Sequence, residues 1–299
     1  MNLPVVSLLL LAAGFAGPGF AQMAQPLGPG AIAVQAEVAP AKTRADRIAG
    51  LSATLQIGLI LEVMRTEGLD YGTTLETDMF PGKGGTGWAD RVGRIYDVTA
   101  MQARFDTAFV EALAQASDGA LDVMDAFFAS ERGQRILTLE LEARRALLDD
   151  AAEEAAKLNF EEMTARNDPR VDLITRFAEA NDLIEMNVAG ALNANLAFFR
   201  GLSNAGAVDG KMTEDQILST VWAQEIDIRS ETESWLYPYL ALAYQPLSDE
   251  DMDAYLAFSV VAEGRALNAA LFAAFDSLFT AISADLGLAA ANQMRGEDI

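Results

Sequence analysis

The segment ADRIAGLSATLQIGLILEVMRT, residues 45–66, sets Ile48, Leu51, Leu55, Leu59 and Val63 along one line when wound as a helix. Spacings of three and four match the 3.6-residue turn, whereas a half-buried strand would need an apolar residue at every second position. The stretch predicts an amphipathic helix that stops at Gly68. The same period governs nearly everything downstream of Thr43, and no alternating run competes with it.

Working outward, the glycine-rich run from Pro81 to Gly87 reads as a flexible connector before a short helix around Trp88 to Tyr96. Thr99 and Gln102 have the spacing of a capping box for a helix whose stripe is Met101, Phe105, Phe109 and Leu113. Ser117-Asp118-Gly119 stops that helix, and a short one follows, ending near Phe128. A long helix is then expected from about Glu131 to Ala165, with Leu137, Leu141, Leu148 and Ala155 on its buried side. Asp168 and Pro169 read as N-cap and first helical residue of another long helix, through Leu173, Phe177, Leu183, Val188, Leu192 and Phe199. Thr213 with Gln216 opens a helix carrying Ile217, Val221, Trp222, Ile226 and Ile228, which Pro238 bends or restarts before Tyr244. Ser248 and Asp251 cap a helix through Met252, Tyr255 and Phe258. The last long helix carries Leu267, Leu271, Phe275, Leu278 and Ile282. The expectation is an all-α, multi-helix bundle of about nine helices with no sheet. Its first helical half spans 43–166 and its second half 167–299, packed together.

The start of the chain has a different composition. Leu3 to Ala13 is apolar and uncharged, Gly14, Gly17, Pro18 and Gly19 break it, and Gly19-Phe20-Ala21 offers small residues where a signal peptidase reads. This predicts a signal peptide over 1–21, cleaved after Ala21, and a periplasmic protein. Residues 22–42, rich in Ala, Gln, Pro and Gly, read as a flexible linker. Ala266 to Ala284 is apolar as well, but Asn268, Asp276, Ser277 and Ser283 interrupt it, so a core helix is expected rather than a transmembrane segment.

Charge and composition exclude whole classes. The 299 residues contain 44 acidic and 21 basic side chains, a formal net charge of −23, and neither histidine nor cysteine. Clustered lysine and arginine are what phosphate binding requires, so nucleic acid is not an expected partner. Without imidazole or thiolate, the common zinc, iron–sulfur and cysteine-nucleophile chemistries have no ligands. No metal and no cofactor are expected.

Residues 121–141 align with 252–272, pairing Asp122 with Asp253, Ala126 with Ala257, Phe127 with Phe258 and Gly133 with Gly264. The alignment predicts a weak internal repeat: a helix ending in an aromatic, a glycine where two backbones approach, then a long helix beginning Gln134-Arg135 or Arg265. The run Phe127-Phe128-Ala129-Ser130-Glu131-Arg132-Gly133-Gln134-Arg135 resembles the signature of the exported bacterial domain-of-unknown-function family 2059, and Phe258 to Arg265 resembles a degenerate second copy. Glu131 stands where that signature has a proline, and the second copy lacks the glutamine. The resemblance implies an exported, all-helical protein and carries no catalytic residue. The candidate structural or binding residues are therefore Phe127, Phe128, Gly133, Gln134, Arg135, Phe258, Gly264 and Arg265. The two arginines suit either an anionic partner group or a neighbouring helix C-terminus.

Other local patterns fail on context. Gly82-Lys83-Gly84-Gly85-Thr86-Gly87 has the glycines of a dinucleotide loop, yet no strand precedes it. Asp209-Gly210-Lys211 looks like the middle of a calcium loop, but Ala205, Ala207 and Gln216 stand where carboxylates belong. Asp149-Asp150 with Glu153-Glu154 forms an acidic stripe without the second motif a diphosphate synthase needs. None of Lys42, Lys83, Lys157 and Lys211 stands three residues after a serine. The leading expectation is a noncatalytic protein that acts by binding or assembly in the periplasm, its partner an unspecified protein or small apolar ligand. One alternative is a carrier or chaperone for apolar ligands, suggested by fifteen Phe and eleven Met. Another is a carboxylate-based cell-envelope hydrolase.

Overall fold

The structure is a computed structural model that describes residues 43–206 and 212–296. The expected signal peptide and linker, residues 1–42, and the calcium-loop-like Asp209 to Lys211 lie outside them. Every regular element among the described residues is an α-helix, and there are thirteen rather than about nine. They are α1 (Arg44–Thr54), α2 (Ile57–Met79), α3 (Gly85–Ile95), α4 (Val98–Ala112), α5 (Asp118–Phe128), α6 (Glu131–Ala146), α7 (Asp150–Ala165), α8 (Pro169–Ala180), α9 (Leu183–Asn204), α10 (Glu214–Trp222), α11 (Glu225–Tyr244), α12 (Asp249–Val260) and α13 (Ala262–Arg295).

The additional helices come from breaks inside segments with continuous helical periodicity. Residues 45–66 are not one helix: Gln56 adopts φ 54°, ψ 35°, and α1 and α2 meet at 59°. Left-handed backbone at a residue with a Cβ interrupts the hydrogen-bond ladder, which forces the bend. Asp182 has the same φ and ψ and splits the expected long helix into α8 and α9. Asp149, whose side chain accepts from Ala152 N, starts α7 and ends the expected continuity of 131–165. Leu148 consequently falls in the turn and is exposed, and on α7 the buried residue is Ala156 rather than Ala155.

Two glycines act differently from their expected roles. Gly68 lies inside α2 instead of ending it, because a Cβ there would meet the Tyr96 ring at 2.3 Å. One turn on, a Cβ at Gly72 would meet Val92 at 2.7 Å, and the Gly72 carbonyl accepts from the Trp88 indole at 2.8 Å. Together they let α3 lie directly on the α2 backbone. The connector between them is pinned rather than flexible: Gly84 N donates to Glu76 Oε1 at 3.0 Å, and Gln293 donates to the Lys83 carbonyl. For α4 the cap is Asp97, accepting from Ala100 N at 2.9 Å, and not Thr99. The capping box of Thr213 and Gln216 and the caps at Asp168 and Ser248 form as the sequence predicts. Helix α11 continues through Pro238 to Tyr244.

Helix order and neighbours recur along the chain. In the first half the bent pair α1–α2 packs on α4, with α3 on α2 and α1 on α5; in the second the bent pair α8–α9 packs on α11, with α10 on α9 and α8 on α12. The longest helix, α13, lies along α9 and crosses to α4, while α6 crosses to α11. Each half thus lends its sixth helix to the other, and α7 lies outside this scheme, on α11. At the crossing of α9 and α13, a Cβ on Gly201 would meet Ala284 O at 2.6 Å and one on Gly287 would meet Phe198 O at 2.2 Å. The main apolar core draws on residues from Ile48 to Ala291, and Val188, Ala191 and Ile228 form a small second cluster between α9 and α11. By length and composition α13 is the one helix among the described residues apolar enough to cross a bilayer unaided, and half of that stretch is buried inside the fold.

Candidate functional site

The residues singled out by the family-like motif meet at the junction of the halves. Phe127 and Phe258 stack face to face, centroids 4.2 Å apart and planes 14° apart. Phe128 and Tyr255 close the cluster edge-on, their rings 6.2 Å apart. Aromatic pairs in such arrangements add about 0.5–1.5 kcal/mol beyond their buried area. Gly133 and Gly264 fill equivalent roles. A Cβ on Gly133 would stand 2.3 Å from Phe127 O, and one on Gly264 2.0 Å from Phe258 O, so each lets a helix start directly against the end of its predecessor.

Gln134 and Arg135 are tied into the fold. Gln134 Nε2 donates to Phe128 O at 2.7 Å and Thr54 O at 3.0 Å, and its Oε1 accepts from Gln56 at 2.7 Å. Arg135 Nη2 donates to Pro246 O at 2.7 Å, just past the end of α11, which is the helix-terminus role. Arg265 is exposed and occupies the register of Gln134 rather than of Arg135. Arg132 bridges to the start of α12, its Nε 2.8 Å from Asp251 Oδ1.

A second polar cluster lies deeper. Glu140, fully buried, accepts from the Tyr244 hydroxyl at 2.7 Å through Oε1, while Tyr239 donates to its backbone carbonyl at 3.1 Å. Burial pushes the Glu140 carboxyl up to about 8, and the Tyr244 and Tyr255 hydroxyls only partly offset it. Tyr255 acts on the carboxyl from nearby, but Oε2 has no hydrogen-bond partner among the described residues. Burial, reinforced by Glu140, holds all three phenols far above their ordinary range. One turn along α6, Arg144 forms a two-pronged pair with Glu67, Nε to Oε1 at 3.0 Å and Nη2 to Oε2 at 2.8 Å. Glu140 and Arg144 stand in line with Gly133, Ile136, Leu137 and Leu141 on the buried face, so the signal was a charge within an apolar stripe. This is a proton-holding structural network wedged between α6 and α11, with no cavity reaching it among those described.

Two surface features could meet a ligand or partner. Between α9 and α13 a groove of about 190 Å³ is walled by Met186, Ala189, Ala269, Phe272, Ala273 and Phe279, with Asn187, Asn193 and Asp276 supplying its polar atoms. At the elbow from α10 to α11, Trp222 is 65% and Ile226 76% exposed. The sequence placed both on a buried stripe. Their neighbours Val221 and Ile228 do turn inward, but the helix ends at Trp222, so the apolar line rotates out to solvent. No described group of three or more carboxylates is arranged to hold a metal ion. Comparison with known proteins finds no matching family model, no similar curated protein and no similar solved structure.

Proposed function

We propose that this chain is an exported, noncatalytic binding protein whose docking surface is the α10–α11 elbow. The observation that carries the reading is the side-by-side exposure of Trp222 and Ile226. Large aromatics standing in water mark contact surfaces, and tryptophan leads among residues that anchor them. The recurring helix order says what would cover this one. Helix α3 is held between α2 and α13, whereas its counterpart α10 rests on α9 with its outer side uncovered by any described helix. A helix with an apolar face fits the vacant position. The flanking Asp215 and Asp227 carboxylates and the net charge of −23 favour basic residues beside that face.

The matching helix orders also support reading the chain as a duplicated unit, joined by α7, with the Phe127–Phe258 stack on the approximate two-fold axis. A residue that stacks on its own counterpart is what a two-fold arrangement produces. Likeness to family 2059, periplasmic location and cleavage after Ala21 belong to the same proposal; sequencing the N-terminus of protein recovered from the producing cell should read from Gln22, and a chain still starting at Met1 would refute it.

A photo-crosslinking amino acid at position 222, compared with one at Leu158, also exposed, on α7, tests the docking surface. Discrete adducts at 222 alone, lost when Ile226→Ser is added, support it. Equal labelling at both positions, or none, overturns it.

A further inference from the structure

From the groove between α9 and α13 we infer a binding site for a small primary amine with an apolar tail. It is separate from the α10–α11 elbow and stands or falls independently of that surface. The groove offers acceptors and lacks charged donors. Asn187 is 6% exposed, and its Nδ2 donates to Leu183 O at 2.7 Å. That bond fixes the amide's orientation, because a carbonyl must face the nitrogen, so the other amide atom is the oxygen. Asn187 Oδ1 is buried without a hydrogen-bond partner. That oxygen is closed off from the groove, so a ligand's donors go to the accessible carboxylate beside it rather than to the amide.

Asp276 is the sole charged residue lining the groove, held by Asn193 Nδ2 at 3.0 Å from its Oδ1. A carboxylate at an apolar groove calls for N–H donors with positive charge. An ammonium supplies three donors and the countercharge, whereas a carboxylate ligand would be repelled. The walls of Met186, Ala189, Ala269, Phe272 and Phe279 take the tail. The groove, about 190 Å³ and open to solvent along one side, has room for a short tail of about six carbons. The recognised chemistry is a short alkylammonium or an arylalkylamine of that size.

The test is calorimetric titration of the folded protein with n-hexylamine, n-hexanol and hexanoate at neutral pH, and of two variants. Gly190→Leu fills the groove, since Gly190 has ordinary helical backbone and a Cβ there meets nothing closer than Asp276 Oδ1 at 4.0 Å. Asp276→Asn removes the charge and retains the shape. Saturable one-to-one binding of hexylamine, at least tenfold weaker for hexanol and absent for hexanoate, is expected. It should weaken at least tenfold in Asp276→Asn and vanish in Gly190→Leu, with both variants melting as the parent does. Hexanol binding as well as hexylamine, or hexylamine binding unchanged in either folded variant, overturns the inference, as does no binding to the parent protein.

Discussion

Replacing Glu140 by Gln should change how stability depends on pH more than stability itself. The native carboxyl titrates at about 8 against an ordinary value of 4.5, because burial disfavours its charge. Between those two values the unfolded chain has released a proton that the native protein still holds, so stability falls as pH rises through the interval. Below 4.5 the contribution is complete, and above about 8 it is gone. At about 1.4 kcal/mol for each pH unit, the interval amounts to about 5 kcal/mol. Glutamine keeps the acceptor that Tyr244 bonds at 2.7 Å and carries no proton to lose. Near pH 5 the variant should therefore lie within about 1 kcal/mol of the parent, the size of one altered hydrogen bond. By pH 8.5 it should be the more stable protein by several kcal/mol. Urea unfolding of both proteins at intervals from pH 5 to 8.5, followed by far-ultraviolet circular dichroism, measures the difference directly and cancels the shared repulsion of the surface carboxylates. A difference constant within about 1 kcal/mol across that range would refute the assignment of a protonated, buried Glu140.

Removing Glu67 by Glu67→Ala takes the paired carboxylate from the buried Arg144 guanidinium and should cost about 3–5 kcal/mol in urea unfolding. Adding Arg144→Met to that variant should recover a large part, and a double variant no better than the single one would contradict the pairing. Gly133→Ala and Gly264→Ala each drive a methyl into a backbone carbonyl and should lower the melting temperature by an amount equivalent to about 2 kcal/mol or more, whereas Gly50→Ala, whose added Cβ meets nothing, should not. Asp97→Ala should lose about 1 kcal/mol as the cap of α4 and Thr99→Ala next to none; thermal melts in the reverse order would restore the Thr99 capping box.

The helical class was legible because Met101, Phe105 and Phe109, like Phe275, Leu278 and Ile282, keep their period and are all buried. The breaks were not. Gln56 and Asp182 break the helices without a glycine or proline at the break, and a left-handed glutamine has no signature in the sequence. Gly68 and Gly72 gave the opposite error, since a glycine that ends a helix and one that admits a neighbour look alike until Tyr96 and Val92 are in place. Phe127, Gly133, Phe258 and Gly264 were found through their spacing, because tight helix junctions depend on local order. The groove joins Asn187 to Asp276 from two helices far apart in sequence, and no local pattern announces such a pair. Glu140 and Arg144 could have been found as charges on the stripe of Leu137 and Leu141.

The crossing of α6 to α11 and of α13 to α4 has a consequence for how the chain matures. Phe105 on α4 finishes its packing only against Phe275, 170 positions later, with ring centroids 4.7 Å apart. A nascent chain therefore holds an aromatic face open until Phe275 has emerged, and contacts of such separation make for slow closure. During that interval α13 of another molecule competes with the chain's own α13 for the waiting surface on α4. The physical trap for this fold is a pair of chains that have traded α13, and its share rises with concentration.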